Sequence, residues 1–287
     1  MIDKKGENLS KKLTIGFACY DDVEGAFFTI GALKLYHNKH EKDIEILVVD
    51  DFPNKTEGLQ GLCDISGARY IHDTVNKGPA RAKNNVFHHA TGDYVLLLDS
   101  HVLLWPEAVD NIFDGIFYDL IKKDMWVGPL VNERGHIVAT HLDPKWRGAF
   151  YGTWAVDDEI ANGKMKEVPM HGAAFMLMKR EHWPKFSPNF EGFAGEEGYI
   201  HEKVRMNGGK IICNPRLKWM HRFVRGKPVS FRLDNTDRVY NFLIAFHEVN
   251  YDVNEVVSFF RKDGMPEEVV QKAIERAVKV YPNMFQK

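Results

Sequence analysis

Asp99-Ser100-His101 follows directly on the apolar run YVLLL at residues 94–98. In extended backbone, residues i and i+2 face the same side. Asp99 and His101 can therefore address one site together while Ser100 turns away. A carboxylate paired with an imidazole suits a divalent cation such as manganese; magnesium, the second candidate ion, favours oxygen alone. Such a cation offsets the charge of a diphosphate and acts as a Lewis acid on it as a leaving group. Asp-x-His is common by chance, and its position after a buried strand is what singles it out. Asp21 and Asp22 and the pair Asp50-Asp51 stand at the ends of two further apolar runs.

Positioning these residues requires a sheet. LTIGFAC (Leu13–Cys19), IEILVV (44–49), the weaker run 68–72 and YVLLL read as strands. Between them lie helical stretches: one through Ala26, Ile30, Leu33 and Leu35, one opened by Pro79 and running to about His89, and one opened by Pro106. Strand and helix thus alternate over the first 120 residues. That pattern predicts a parallel α/β sheet flanked by helices, with ligands beyond the carboxyl ends of its strands. Residues 132–168, rich in Gly, Trp and His, read as a long loop region with short strands. Segment 172–178 is another buried strand, 199–206 a helix ended by Gly208-Gly209, and 210–213 and 217–220 short strands. Three helices close the chain, at about 235–248, 253–262 and 266–280.

The chain has 287 residues, 44% of them hydrophobic, enough for one large core. With 38 basic and 40 acidic side chains, its net charge of -2 gives no support to nucleic-acid binding by bulk charge. Cys19, Cys63 and Cys213 are too few and too scattered for a disulfide framework or a zinc cluster, and read as buried apolar residues. The opening residues MIDKKGENLSKK form a polar lead-in without an apolar leader, and no run reaches the length of a membrane span. The expected location is cytoplasmic.

The segment GPARAKNNVFHHATGDYVLLLDSHVLLWPEAV (78–109) resembles the donor-binding segment of family 2 glycosyltransferases, and more narrowly that of the polypeptide N-acetylgalactosaminyltransferases, which carry Asp-x-His. VPMHGAAFMLMKREHW (168–183), FAGEEGYIHEKVRMNGGKI (193–211) and WMHRFVR (219–225) resemble later motifs of that family in the same order, and NTDRVYNFLIAFHEVNY (235–251) echoes a further helix. The resemblance implies a GT-A (Rossmann-like) fold: a mostly parallel central sheet flanked by helices, with a C-terminal helical extension. It implies His221 as a third metal ligand beside Asp99 and His101. It places Tyr20, Asp21, Asp50 and Asp51 against a uridine, and Arg81 and Ser100 against the nucleotide or diphosphate. Arg222 and Arg225 become lid residues over the diphosphate, or ordinary surface arginines. By alignment with inverting enzymes Glu197 is the base that takes the acceptor proton, with Glu196 beside it. In the retaining polypeptide transferases the matching residues bind instead, and acids also favour a helix start. Trp146, Tyr151, Trp154 and His171 either stack on a sugar or pack under the loop.

These readings together predict a metal-dependent transferase that moves a sugar from a UDP-sugar to a hydroxyl of a glycan, a protein or a modified DNA base. The alternatives are a nucleotide-sugar-binding protein without transfer activity and a metal-dependent nucleotide-sugar hydrolase. The expected organisation is a lead-in at 1–12, a nucleotide-sugar half at 13–131, an acceptor and catalytic half at 132–227, and the helical extension at 228–287.

Overall fold

The computed structural model describes residues 12–223, 231 and 233–286. Residues 1–11 of the expected lead-in, and the boundary expected at 227, lie outside the described residues.

Along the chain, β1 (Leu13–Cys19), α1 (Val23–Tyr36), β2 (Ile44–Asp50), α2 (Leu59–Ser66), β3 (Arg69–His72), α3 (Pro79–His89) and β4 (Tyr94–Asp99) form the alternating first part. There follow β5 (Val102–Leu104), α4 (Ala108–Phe117), β6 (Met125–Val127), β7 (Leu130–Val131), β8 (Ile137–Ala139), β9 (His141–Arg147), β10 (Phe150–Ala155), α5 (Asp158–Ala161) and β11 (Lys166–Glu167). The remainder is β12 (Phe175–Lys179), α6 (Glu196–Met206), β13 (Ile211–Cys213), β14 (Trp219–His221), α7 (Asn235–Glu248), α8 (Val253–Lys262) and α9 (Glu267–Val280).

The central sheet runs β11-β13-β6-β12-β4-β1-β2-β3. Strands β1 to β4 are mutually parallel, and β12 joins antiparallel between β4 and β6. Because side chains alternate across a strand, β4 feeds two cores. Val95 and Leu97 join Val86 of α3 and Leu243 of α7 on one face; Leu96 and Leu98 join Ile30 of α1 and Ile112 of α4 on the other. Both faces are covered, which is why the strands read as unbroken apolar runs. All three cysteines are buried and unbridged.

Three local expectations need correction. Leu35 is 71% exposed, because it falls off the stripe of Ala26, Ile30 and Leu33 that faces the sheet. The stretch 132–168 is more ordered than a loop region: β9 and β10 pair as an antiparallel hairpin. Helix α6 begins at Glu196 rather than 199, so both acids lie in its first turn. Among the described residues, no helix is long and apolar enough to cross a membrane.

Candidate metal and transfer site

Strand register assembles the site. In the parallel sheet, Cys19 lies level with Asp50, and Asp99 with Ala18, so the acids at the strand ends share one edge. Past Asp99 the chain turns into β5, which pairs antiparallel with β14 so that Val102 faces His221. This pairing places His221 beside His101, their rings 4.6 Å apart and nearly perpendicular. Asp99, His101 and His221 each offer a ligand atom within 4.8 Å of the others'. His221 Nε2 lies 3.5 Å from Asp99 Oδ2.

The surroundings fit a cation. His101 Nδ1 is 2.7 Å from Asp22 Oδ2. A carboxylate there favours the tautomer with the proton on Nδ1 and leaves Nε2 as the nitrogen that could ligate, the arrangement common behind metal-bound histidines. Asp22 also caps α1 at the Gly25 amide, accepts from Ser100 Oγ at 3.0 Å and pairs with Arg222 at 2.9 Å. Ser100 and Arg222 are thus both turned to Asp22. Arg222 also lies 5.8 Å from the centre of the Phe28 ring, and its Nε is buried with no hydrogen-bond partner among the described residues. Arg225 lies outside the described residues.

Lys83 is the residue that reasoning from sequence does not place in the site, and the sequence singles out Asp22 only as a strand-end acid, without a role. Lys83 is only 7% exposed; its Nζ donates to the Ala173 carbonyl at 2.9 Å and lies 3.4 Å from Asp99. Burial works against its charge, but Asp99, Glu196 and Glu197 outweigh that and hold it above the ordinary lysine value. Burial likewise opposes ionisation of Asp99, and Lys83 with the two imidazoles overcomes it, keeping the carboxylate charged.

Glu196 and Glu197 open α6 behind Gly195, which has φ 92°. Glu196 is 3% exposed, and its Oε1 has no hydrogen-bond partner among the described residues. Burial and the adjacent Glu197 push Glu196 up to about 8, while burial also raises Glu197. Two neighbouring carboxylates with little access to water cannot both ionise easily, and the same burial that raises Glu196 also raises Glu197, which is half-buried. Behind it, His201 accepts from the His171 amide at Nε2 and donates from Nδ1 to the Glu197 carbonyl. That bonding is met by a neutral ring, as burial dictates, holding His201 near 3.

A second cluster lies at the ends of β1 to β3. Tyr20 meets Phe52 edge-on at 5.1 Å and accepts from Asn76 at 3.3 Å. Asp21 is exposed at φ 51°, its amide donating to Thr56. Asp50 is fully buried and accepts from the Phe52 and Thr56 amides, the Thr56 hydroxyl and the Tyr70 hydroxyl. Its oxygens are thus engaged in holding the turn. Burial, with Asp50 and Asp73 nearby, outweighs a backbone hydrogen bond and pushes Asp51 up to about 7. Arg81 pairs with Asp73 at 3.1 Å and donates to the Val75 carbonyl. The structure therefore gathers Tyr20, Asp51 and Arg81 around the β1–β3 end, and the metal and acidic clusters around β4.

Trp146 packs on Phe242, Phe259 and Phe260 and donates to Glu255 at 2.8 Å. It therefore ties the hairpin to α7 and α8.

Residues 30–118 match the model of the glycosyl transferase family 2. The chain is 28% identical over 229 residues to polypeptide N-acetylgalactosaminyltransferase 5 of Mus musculus, which covers 72% of this chain but only 24% of that protein. The chain thus spans about a quarter of the length of that relative. A crystal structure of GalNAc-T7 with UDP, GalNAc and Mn2+ superposes with a TM-score of 0.68 at 13% identity, covering 98% of this chain and 57% of that one. The mannosyltransferase PcManGT from Pyrobaculum calidifontis, in complex with GDP-Man and Mn2+, gives 0.56 at 14% identity, covering 96% and 76%. With its central sheet flanked by helices and these likenesses, the chain has the GT-A fold, matches the glycosyl transferase family 2 model over residues 30–118 and is similar in sequence to a polypeptide N-acetylgalactosaminyltransferase.

Proposed function

We propose that this chain is a metal-dependent glycosyltransferase that moves a sugar from a UDP-sugar to a hydroxyl of a glycan, a protein or a modified DNA base. One observation carries the reading: the buried Lys83 interacts both with Asp99 of a three-residue potential ligand set and with the acids Glu196 and Glu197. On this reading Asp99, His101 and His221 hold manganese, with magnesium as the second candidate. The ion supplies charge compensation to the diphosphate and Lewis acidity toward the departing UDP.

The other roles fall to the chain itself. Tyr20, Asp21 and Asp51 line the nucleoside end, Asp50 shapes its turn, and Arg81 adds a cation there. Asp22 orients His101, with Ser100 and Arg222 bound to the same carboxylate. Arg225, outside the described residues, remains a donor-binding candidate from its sequence position alone. Glu197 takes the proton from the attacking hydroxyl as the sugar–oxygen bond to UDP breaks, with Glu196 beside it. Lys83 keeps both acidic groups compatible in one buried space. Residues 13–131 then serve the donor and 132–227 the acceptor and the chemistry, with 228–287 as a supporting extension.

The test is an assay with manganese, UDP-sugars and a panel of glycan, peptide and DNA acceptors, with GDP-sugars as a comparison arm. Transferred sugar should exceed sugar released to water. Equal release with and without acceptor would favour a hydrolase, and binding with neither product a binding protein.

A further inference from the structure

We infer that the C-terminal helices hold the acidic pair in place, with the buried side chain of Asn241 as the positioning residue. The inference rests on the reading of Glu196 and Glu197 given above. Glu196 is reached through an irregular segment, 191–195, that cannot hold itself: Gly192, Ala194 and Gly195 all have positive φ, at 65°, 97° and 92°. For alanine that region is sterically costly and persists only where the surroundings impose it.

Asn241 on α7 supplies the constraint. It is 1% exposed. Its Oδ1 accepts from the Glu191 amide at 3.0 Å, and its Nδ2 donates to the Glu191 carbonyl at 2.8 Å and the Ala194 carbonyl at 3.0 Å. One side chain thus satisfies three backbone groups of the segment, all its bonds spent within five residues of the acids. The fit is tight: a Cβ on Gly195 would meet the Asn241 Cβ at 3.1 Å. One turn earlier on α7, Asp237 joins Glu191 through Arg276 of α9, at 2.7 and 2.6 Å. On its other side the segment abuts the start of α3, where the Gly192 amide donates to the Lys77 carbonyl at 3.0 Å. A Cβ on Gly78 would strike the Gly192 oxygen at 2.0 Å. The acidic segment is therefore gripped between the donor half and the C-terminal helices.

The test compares Asn241→Ala and Asn241→Asp with the parent chain by amide hydrogen exchange, manganese-dependent UDP binding and transfer kinetics. Asn241→Asp keeps the size and the acceptor for the Glu191 amide but loses both donors, so it reports even if the alanine variant fails to fold. Expected are exchange about tenfold faster across 191–197, UDP affinity within about twofold of the parent, and kcat lower by about 100-fold with the donor KM held. A merely structural role would lower UDP binding and transfer together. Unchanged exchange in the segment, or faster exchange with unchanged kcat, overturns the inference. The exchange arm needs no turnover, so it decides the clamp even if no transfer is found, and absent transfer by the parent chain counts against the proposed function alone.

Discussion

Asp99 and the Glu196–Glu197 pair meet across one lysine, yet the protein positions them by opposite means. Asp99 stands at the end of a central strand whose neighbours on both sides fix its register, and strand β14, paired to β5, and the packed helix α3 bring His221 and Lys83 to it. The acidic pair stands at the start of a helix entered through strained backbone, and its placement comes from α7 and α9, more than forty residues downstream. The first arrangement is supported by sheet geometry that single substitutions leave standing. The second depends on a handful of side chain-to-backbone bonds, so remote changes should reach the chemistry through it and not through the metal end.

Substitutions can break this contrast from either side. The largest effect belongs to Asp99→Ala, which removes a ligand and leaves Lys83 without its nearest carboxylate; manganese-dependent UDP affinity should fall by at least about 1000-fold in calorimetry. Retained affinity would remove Asp99 from the ligand set. Glu197→Gln should leave that affinity within a few fold and lower the transfer rate by about 1000-fold, within the usual span for a general base. Direct displacement with such a base inverts the anomeric centre, so the product anomer read by NMR sharpens the assignment. Full activity with a retained anomer would make Glu197 a binding residue. Asp22→Asn is the mildest: asparagine still caps α1, but the charge behind His101 is gone. Manganese affinity should drop by about 10- to 100-fold with the fold intact. No change would mean that Asp22 acts only as a cap.

How much was legible from sequence follows the same division. The strands β1, β2 and β4 are apolar runs, and α3 and α9 are marked by Pro79 and Pro266, so local pattern sufficed for the sheet and its acid-bearing ends. The hairpin was not legible, because β9 reads HLDPKWR, with a proline and little alternation. The early start of α6 was hidden because Gly195, the two acids and Gly198 carry no apolar period. Two site residues left signals that could have been used. Lys83 shares a helix face with Ala80 and Phe87, so it points to the sheet and not to water. Asp22 sits one residue before a helical stretch, the place of an N-cap, while Asp21 faces outward. Asn241 left none: nothing local tells a buried asparagine on α7 that its partners lie fifty residues upstream.

The central claim is that Asp99, His101 and His221 form a cation-dependent donor site. Calorimetric titration of UDP into the protein, first with manganese and then with chelator, tests it most directly. The account predicts binding that requires manganese and disappears in the chelator. Equal binding in both conditions, or binding in neither, would contradict it.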